Sequence, residues 1–187
     1  MNSNLIVSFS GVGLNDLYGP NQEFKKLLSL DNYDIEFFVD KNRTWFNHVD
    51  ISEVAIKSKN YNKIITIGNS MGGFNAVIAA NYMKVDAVIA FAAQYSVHPD
   101  IVPWENRWIN HRRNIKSWRH KEMNFLPNVK YFFIYGDETL EKKHMDLIPD
   151  DNNITKIVIP NNGHNIATQL KSQNKLYPLI NNILEKV

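Results

Sequence analysis

Two side chains in this 187-residue sequence are set where they could act together on a carbonyl, one as nucleophile and one as base. The nucleophile is Ser70, at the centre of Gly68-Asn69-Ser70-Met71-Gly72. The apolar, β-branched run Ile64-Ile65-Thr66-Ile67 precedes it, and the helix-forming run Gly73-Phe74-Asn75-Ala76-Val77 follows. That order reads as strand, sharp turn, helix, the setting in which a Gly-x-Ser-x-Gly pentapeptide is informative. The turn strains the serine backbone and needs small neighbours, because a Cβ at Gly68 or Gly72 would collide with the returning helix. The Ser70 hydroxyl is thereby raised above the sheet edge. The Met71 N–H, at a helix N-terminus, is aimed toward whatever Ser70 attacks. A serine hydroxyl is a weak nucleophile at neutral pH and needs a base, which in turn needs a group to hold its tautomer. His164, in Pro160-Asn161-Asn162-Gly163-His164, directly follows the last apolar run and is the candidate base. His48, His98, His111, His120 and His144 lack that setting.

The pentapeptide with its strand and helix resembles the nucleophile elbow of the α/β-hydrolase superfamily. The resemblance implies a catalytic histidine at the Gly163-His164 position and an acid in the loop Tyr135-Gly136-Asp137-Glu138-Thr139-Leu140-Glu141, in the chain order serine, acid, histidine. Asp137 stands nearest the strand end and is the favoured acid. The common pattern has its aspartate a few residues after the glycine, where this chain has Thr139, so Glu138 and Glu141 stay open. Ser10-Gly11-Val12-Gly13 resembles the His-Gly-x oxyanion loop, with serine in place of histidine. The oxyanion donors are then the Met71 N–H and the Val12 N–H, with Gly11 the alternative one residue away.

Placing these groups on one edge requires a particular scaffold. Leu5–Phe9, Asp34–Val39, Lys63–Ile67, Val85–Ala92, Val129–Tyr135 and Ile154–Ile159 read as strands. Helical periods fall at Gln22–Leu30, about Asp50–Asn60, from the elbow through Met83, at Thr139–Leu147 and at Ile166–Leu184. A loop runs through Asn15, Asp16, Gly19 and Pro20 between the first strand and the first helix. Each strand is a continuous apolar run, as in a parallel sheet covered on both faces. The expected class is α/β: a mostly parallel sheet of about six strands with helices on both faces. It would be a minimal version of the superfamily fold, beginning at the strand before the oxyanion loop, in one domain over residues 1–187. Right-handed crossovers would bring the strands' C-terminal ends, and hence the functional loops, to one edge.

Residues 94–125 fall where the superfamily inserts its lid. Trp104, Trp108, His111, Ile115 and Trp118 recur at helical spacing. Arg107, Arg112, Arg113, Lys116, Arg119 and Lys121 populate the remaining positions. One reading is a cap helix packed on the domain. The other is a substrate wall of Trp104 and Trp108 beside a cationic rim carrying Arg107, suited to sugar rings and anionic substituents. Gln94, Tyr95, Pro103, Trp104, Arg107 and Trp108 resemble hydrolase-like proteins associated with surface polysaccharide synthesis.

Composition narrows the alternatives. The apolar share of 44% and charged share of 21% suit a globular domain, and a net charge of +2 does not imply a nucleic-acid partner. The absence of cysteine removes disulfides, thiolate metal sites and a cysteine nucleophile. No signal peptide, membrane span, metal-ligand spacing or cofactor-binding loop is legible, which points to a soluble, cytoplasmic protein without cofactor. The expected activity is hydrolysis of a carboxylic ester through an acyl-enzyme, on a small-molecule or glycan ester. An acyltransferase passing the acyl group to a sugar hydroxyl is the alternative on the same residues. A non-catalytic binding module is the third. Oligomeric state is not legible.

Overall fold

The computed structural model describes residues 3–13 and 21–187. The expected loop through Asn15, Asp16, Gly19 and Pro20 lies outside the described residues. Six strands, β1 (Asn4–Phe9), β2 (Tyr33–Phe38), β3 (Lys63–Asn69), β4 (Ala87–Phe91), β5 (Lys130–Gly136) and β6 (Ile154–Ile159), form one sheet in the order β2-β1-β3-β4-β5-β6. Every pairing is parallel. Among the described residues there are six α-helices: α1 (Ser52–Ser58), α2 (Met71–Ala79), α3 (Ile109–Arg112), α4 (Thr139–Asp146), α5 (Ile166–Ser172) and α6 (Leu176–Leu184). The order reverses beside β1, so the crevice at the C-terminal ends of β1 and β3 is the switch point where open α/β sheets bind ligands.

The strand period of two divides the core into two layers. Leu5, Val7, Ile64, Val88, Tyr131 and Phe133 face α2 and the 94–125 segment; Ile6, Ile65, Ile67, Ile89, Phe132 and Ile134 face α5 and α6. Both faces are therefore apolar, which is why the strands read as unbroken hydrophobic runs. α2 is buried along its whole length, lying on the central strands beneath residues that follow β4.

Three expected helices differ. The first is a short 3₁₀ turn, Lys25–Ser29, because Phe24 adopts a left-handed conformation (φ 58°) that puts its ring on Phe91. The closing helix is two helices: Asn174 (φ 57°) ends α5, and the Lys175 N–H reaches back to the Leu170 carbonyl. In residues 94–125 only α3 is α-helical, four residues long. The Trp104-to-Trp118 stripe is not a helix face, because each large ring packs on a different partner: Trp104 on His144, Trp108 on Trp45 and His164, Trp118 on His98. Side-chain bonds, not helical periodicity, fix the path. Arg119 donates to the Phe46 and Val49 carbonyls, and Asn47 holds the His120 N–H at 2.7 Å. Among the described residues no helix is long and apolar enough to cross a membrane.

Candidate active site

The elbow is built as its residue types require. Ser70 has φ 57° and ψ −122°, a left-handed conformation that side chains rarely adopt. A Cβ on Gly68 would lie 2.1 Å from the backbone of Gly72, the returning helix. A Cβ on Gly72 meets something else, the Phe9 carbonyl oxygen at 2.3 Å, so this glycine admits the end of β1 and not the helix. Close packing of the two strand ends against α2 thus sets where Ser70 sits.

Ser70 Oγ lies 2.9 Å from His164 Nε2, across 94 positions of sequence. His164 arrives on the loop after β6. Its Nδ1 lies 3.1 Å from Glu141 Oε1, and that carboxylate is 1% exposed. The group on the imidazole is therefore Glu141 and not Asp137. Asp137 Oδ1 instead accepts the Asn162 N–H at 3.2 Å and pins the histidine loop to the end of β5. Backbone N–H groups from that loop hold its carboxyl below the usual range. Glu138, the other open candidate, is exposed and packs its carboxylate beside Gly163. The reason is reach. Asp137 stops short at the strand end, whereas Glu141 lies in the first turn of α4 on its buried side. Burial pushes the Glu141 carboxyl up, but bonds from His164 and Arg107 outweigh it and hold the group ionised, below its ordinary value.

Of the two expected oxyanion donors, one is next to Ser70 in the chain. Met71 is the first residue of α2, so its N–H has no acceptor within the helix. In the opposing loop the Gly11 N–H is already committed, donating to Glu23 Oε1 at 3.2 Å, while Arg43 Nε holds the Val12 carbonyl at 2.9 Å. Val12 is thus the remaining candidate of the pair. Burial pushes the Glu23 carboxyl up to about 7, against the lowering effect of the Gly11 N–H.

Arg107 is not a free cationic rim. Its Nη1 donates to Glu141 Oε1 at 2.5 Å, and its Nε and Nη2 engage both oxygens of Glu105 at 2.6–3.1 Å. Glu105 is fully buried and also faces His144 Nε2 at 3.0 Å. Burial favours the neutral form of Glu105, but the bonds from His144 and Arg107 prevail and bring its carboxyl down to about 2. Of the expected substrate residues, Trp108 is brought against His164, ring centroids 5.2 Å apart, and its indole N–H is buried with no acceptor among the described residues. Trp104 lies further back, on His144 at 4.7 Å, under the Lys143 ammonium. Sequence reasoning missed Glu105 as a partner, and no spacing signal marks it. It also gave Gln94 no role, yet Gln94 Nε2 lies 3.2 Å from Ser70 Oγ. Among the described residues no group of three or more His, Asp or Glu is placed to hold a metal ion.

No family model and no curated protein matches the sequence. Solved structures do match in shape. The capsule O-acetyltransferase of Neisseria meningitidis serogroup A superposes with a TM-score of 0.63 at 14% identity, over 92% of this chain and 86% of that one. MenH from S. aureus gives 0.60 at 14%, over 100% and 94%. An esterase of Pyrococcus furiosus gives 0.60 at 12%, over 99% and 82%. The fold is that of the α/β hydrolases. At these identities the likeness concerns architecture. It agrees with the parallel sheet expected from the apolar runs.

Proposed function

We propose that this α/β-hydrolase-fold chain is a serine enzyme that transfers acyl groups through an acyl-enzyme, with Ser70 as nucleophile, His164 as base and Glu141 as the acid. The observation that carries the reading is the Ser70 Oγ–His164 Nε2 contact of 2.9 Å, backed by a buried carboxylate on the far side of the ring. His164 takes the Ser70 proton as Oγ attacks an ester carbonyl. The Met71 and Val12 N–H groups receive the negative charge that develops on the carbonyl oxygen. The alcohol leaves with the proton from His164. His164 then activates the second acceptor, and Glu141 holds the imidazolium throughout. Trp108, beside His164 with an unspent N–H, is the side chain best placed to touch the leaving alcohol.

The second acceptor separates two readings. Water gives an esterase. A sugar hydroxyl gives an acyltransferase, which the likeness to a capsule O-acetyltransferase supports; a structure of that protein holds CoA, so a thioester is the acyl donor to try first. Intact mass after treatment with a fluorophosphonate tests the shared step. One adduct on the wild-type chain and none on Ser70→Ala is expected. An unlabelled wild-type chain, or an adduct that survives Ser70→Ala, overturns the acyl-enzyme. Product partition between water and added glycan acceptor then decides the acceptor. Hydrolysis alone at every acceptor concentration removes the transferase.

A further inference from the structure

Gln94 follows β4 and is completely buried. Its side-chain amide has three partners. Trp45 Nε1–H donates to Gln94 Oε1 at 3.2 Å; Gln94 Nε2 donates to Ser70 Oγ at 3.2 Å and to the Ala92 carbonyl at 3.4 Å. Trp45, also fully buried, can only donate, and a carbonyl can only accept. These two fixed neighbours leave the amide one orientation, because the flipped one would set N–H against N–H at Trp45 and oxygen against oxygen at Ala92. The NH₂ group must therefore face Ser70.

The direction of every proton in the site follows. The ionised Glu141 carboxylate can only accept, so the His164 proton sits on Nδ1 and points at Glu141 Oε1. Nε2 of the neutral ring is then an acceptor, and Ser70 Oγ, which receives a hydrogen from Gln94, turns its own hydrogen to it at 2.9 Å. We infer that Gln94 is a further catalytic residue: a fixed donor to the nucleophilic oxygen, turning the serine proton toward the base and stabilising the charge that gathers on Oγ. The inference rests on the acyl-enzyme reading above. When Oγ attacks, its proton passes to His164 Nε2 and its electron pair forms the new bond, while Gln94 Nε2–H stays on the oxygen as its charge shifts. When the acyl-enzyme breaks down, Oγ leaves as an incipient alkoxide and the same N–H bond stabilises it before His164 returns the proton. The amide is neutral and aimed before substrate arrives, so no reorganisation is needed at that moment. The charged and titratable groups behind this row are His164 and Glu141 on the other side of Ser70, then Arg107, Glu105 and His144. Among the described residues none of them hydrogen-bonds to the Gln94 amide.

The test is the second-order rate of fluorophosphonate labelling, in which Oγ bonds to phosphorus, fluoride leaves with its electron pair, and the Oγ proton goes to His164. Gln94→Met keeps the volume and removes the donor; a fall of about 10- to 100-fold is expected, nearly constant in ratio to wild type across pH. Gln94→Glu keeps the shape. Its carboxyl donates to Oγ only while protonated and, once ionised, competes with His164 for the serine proton. Its rate relative to wild type should therefore fall as pH rises. A residue that merely packs would leave the volume-conserving Gln94→Met at the wild-type labelling rate at every pH, whatever the ionised carboxylate of Gln94→Glu does to the serine proton. Gln94→Met labelling within twofold of wild type overturns the inference. If Gln94→Met has no cooperative thermal transition, Gln94→Leu is read in its place, and labelling within twofold of wild type overturns the inference. Failure of the wild-type chain to label is a different result: it removes the acyl-enzyme reading itself, and this inference with it.

Discussion

Two histidine–glutamate pairs flank one arginine in this molecule, and only one of them meets a serine. His164 pairs with Glu141 at 3.1 Å, His144 pairs with Glu105 at 3.0 Å, and Arg107 bonds both carboxylates. The residue types are the same and both carboxylates are buried. The difference is what the second ring nitrogen faces. For His164 it is the hydroxyl of Ser70, which can give up a proton. For His144 it is the N–H of Tyr95 at 3.3 Å, which cannot. His144 is thereby fixed with its proton on Nε2, toward Glu105, and burial disfavours its charged form. His164 is 20% exposed on its side chain and can accept a proton, while His144 is sealed. A histidine–carboxylate pair is a structural bolt until its free nitrogen is given something to deprotonate. The network also keeps charge in balance. Two carboxylates against one guanidinium leave one negative charge in excess, and the His164 imidazolium cancels it when the proton arrives.

The largest expected effect comes from removing the base. His164→Ala should lower ester turnover by about 10⁴-fold or more, whereas His144→Phe should leave the chemical step within a few-fold and act on stability instead. Comparable losses for the two substitutions, read as kcat with folding checked by thermal melting, would erase the contrast. Next is the acid. Glu141→Gln should cost about 10³-fold in kcat, while Asp137→Asn costs less than about tenfold, since Asp137 anchors a loop. The reverse ranking would restore Asp137 as the group on the imidazole.

The third prediction concerns stability. Glu105→Gln leaves Arg107 half-paired and should cost about 3 kcal/mol near neutral pH. The Glu105 folded-state value of about 2 lies below its ordinary 4.5, so its contribution is full above about pH 4.5 and is lost as pH falls toward 2. Denaturant titrations of wild type and variant should therefore converge over that window; a gap unchanged at pH 2.5 would contradict the ion-pair account. The smallest effect concerns Glu23, whose folded value of about 7 lies above its ordinary 4.5. That group opposes folding increasingly as pH rises from about 4.5 to 7. Glu23→Gln should raise the melting temperature at pH 8 and leave it unchanged at pH 4.

Much of this was legible before the fold was known. The strand ends of β6 match to the residue, because an apolar run flanked by polar turns carries its own boundaries. The pairing of Ser70 with His164 was legible because a Gly-x-Ser-x-Gly turn and a Gly-His loop are local patterns. The acid was less so. Asp137 and Glu141 sit four residues apart on the same loop and helix, and the choice depends on which way α4 turns its first residues. The path of residues 94–125 was not legible: the helical spacing of its aromatics is real, but each ring has a better partner elsewhere in the molecule.

The amino-acid order by itself determined the alternation of strands and helices, the double-sided burial of the sheet and the kinked turn that presents Ser70. Those follow from apolar periodicity and from backbone sterics, which act over a few residues. Only the tertiary structure decided that Glu141 and not Asp137 stands behind His164, that Arg107 is spent on two carboxylates, and that Gln94 faces Ser70. Apart from Arg107–Glu105, two positions apart, those contacts join residues 23 to 34 positions apart, and they are chosen by the burial of charge, where each ionised or polar group must find its partner before the core can close.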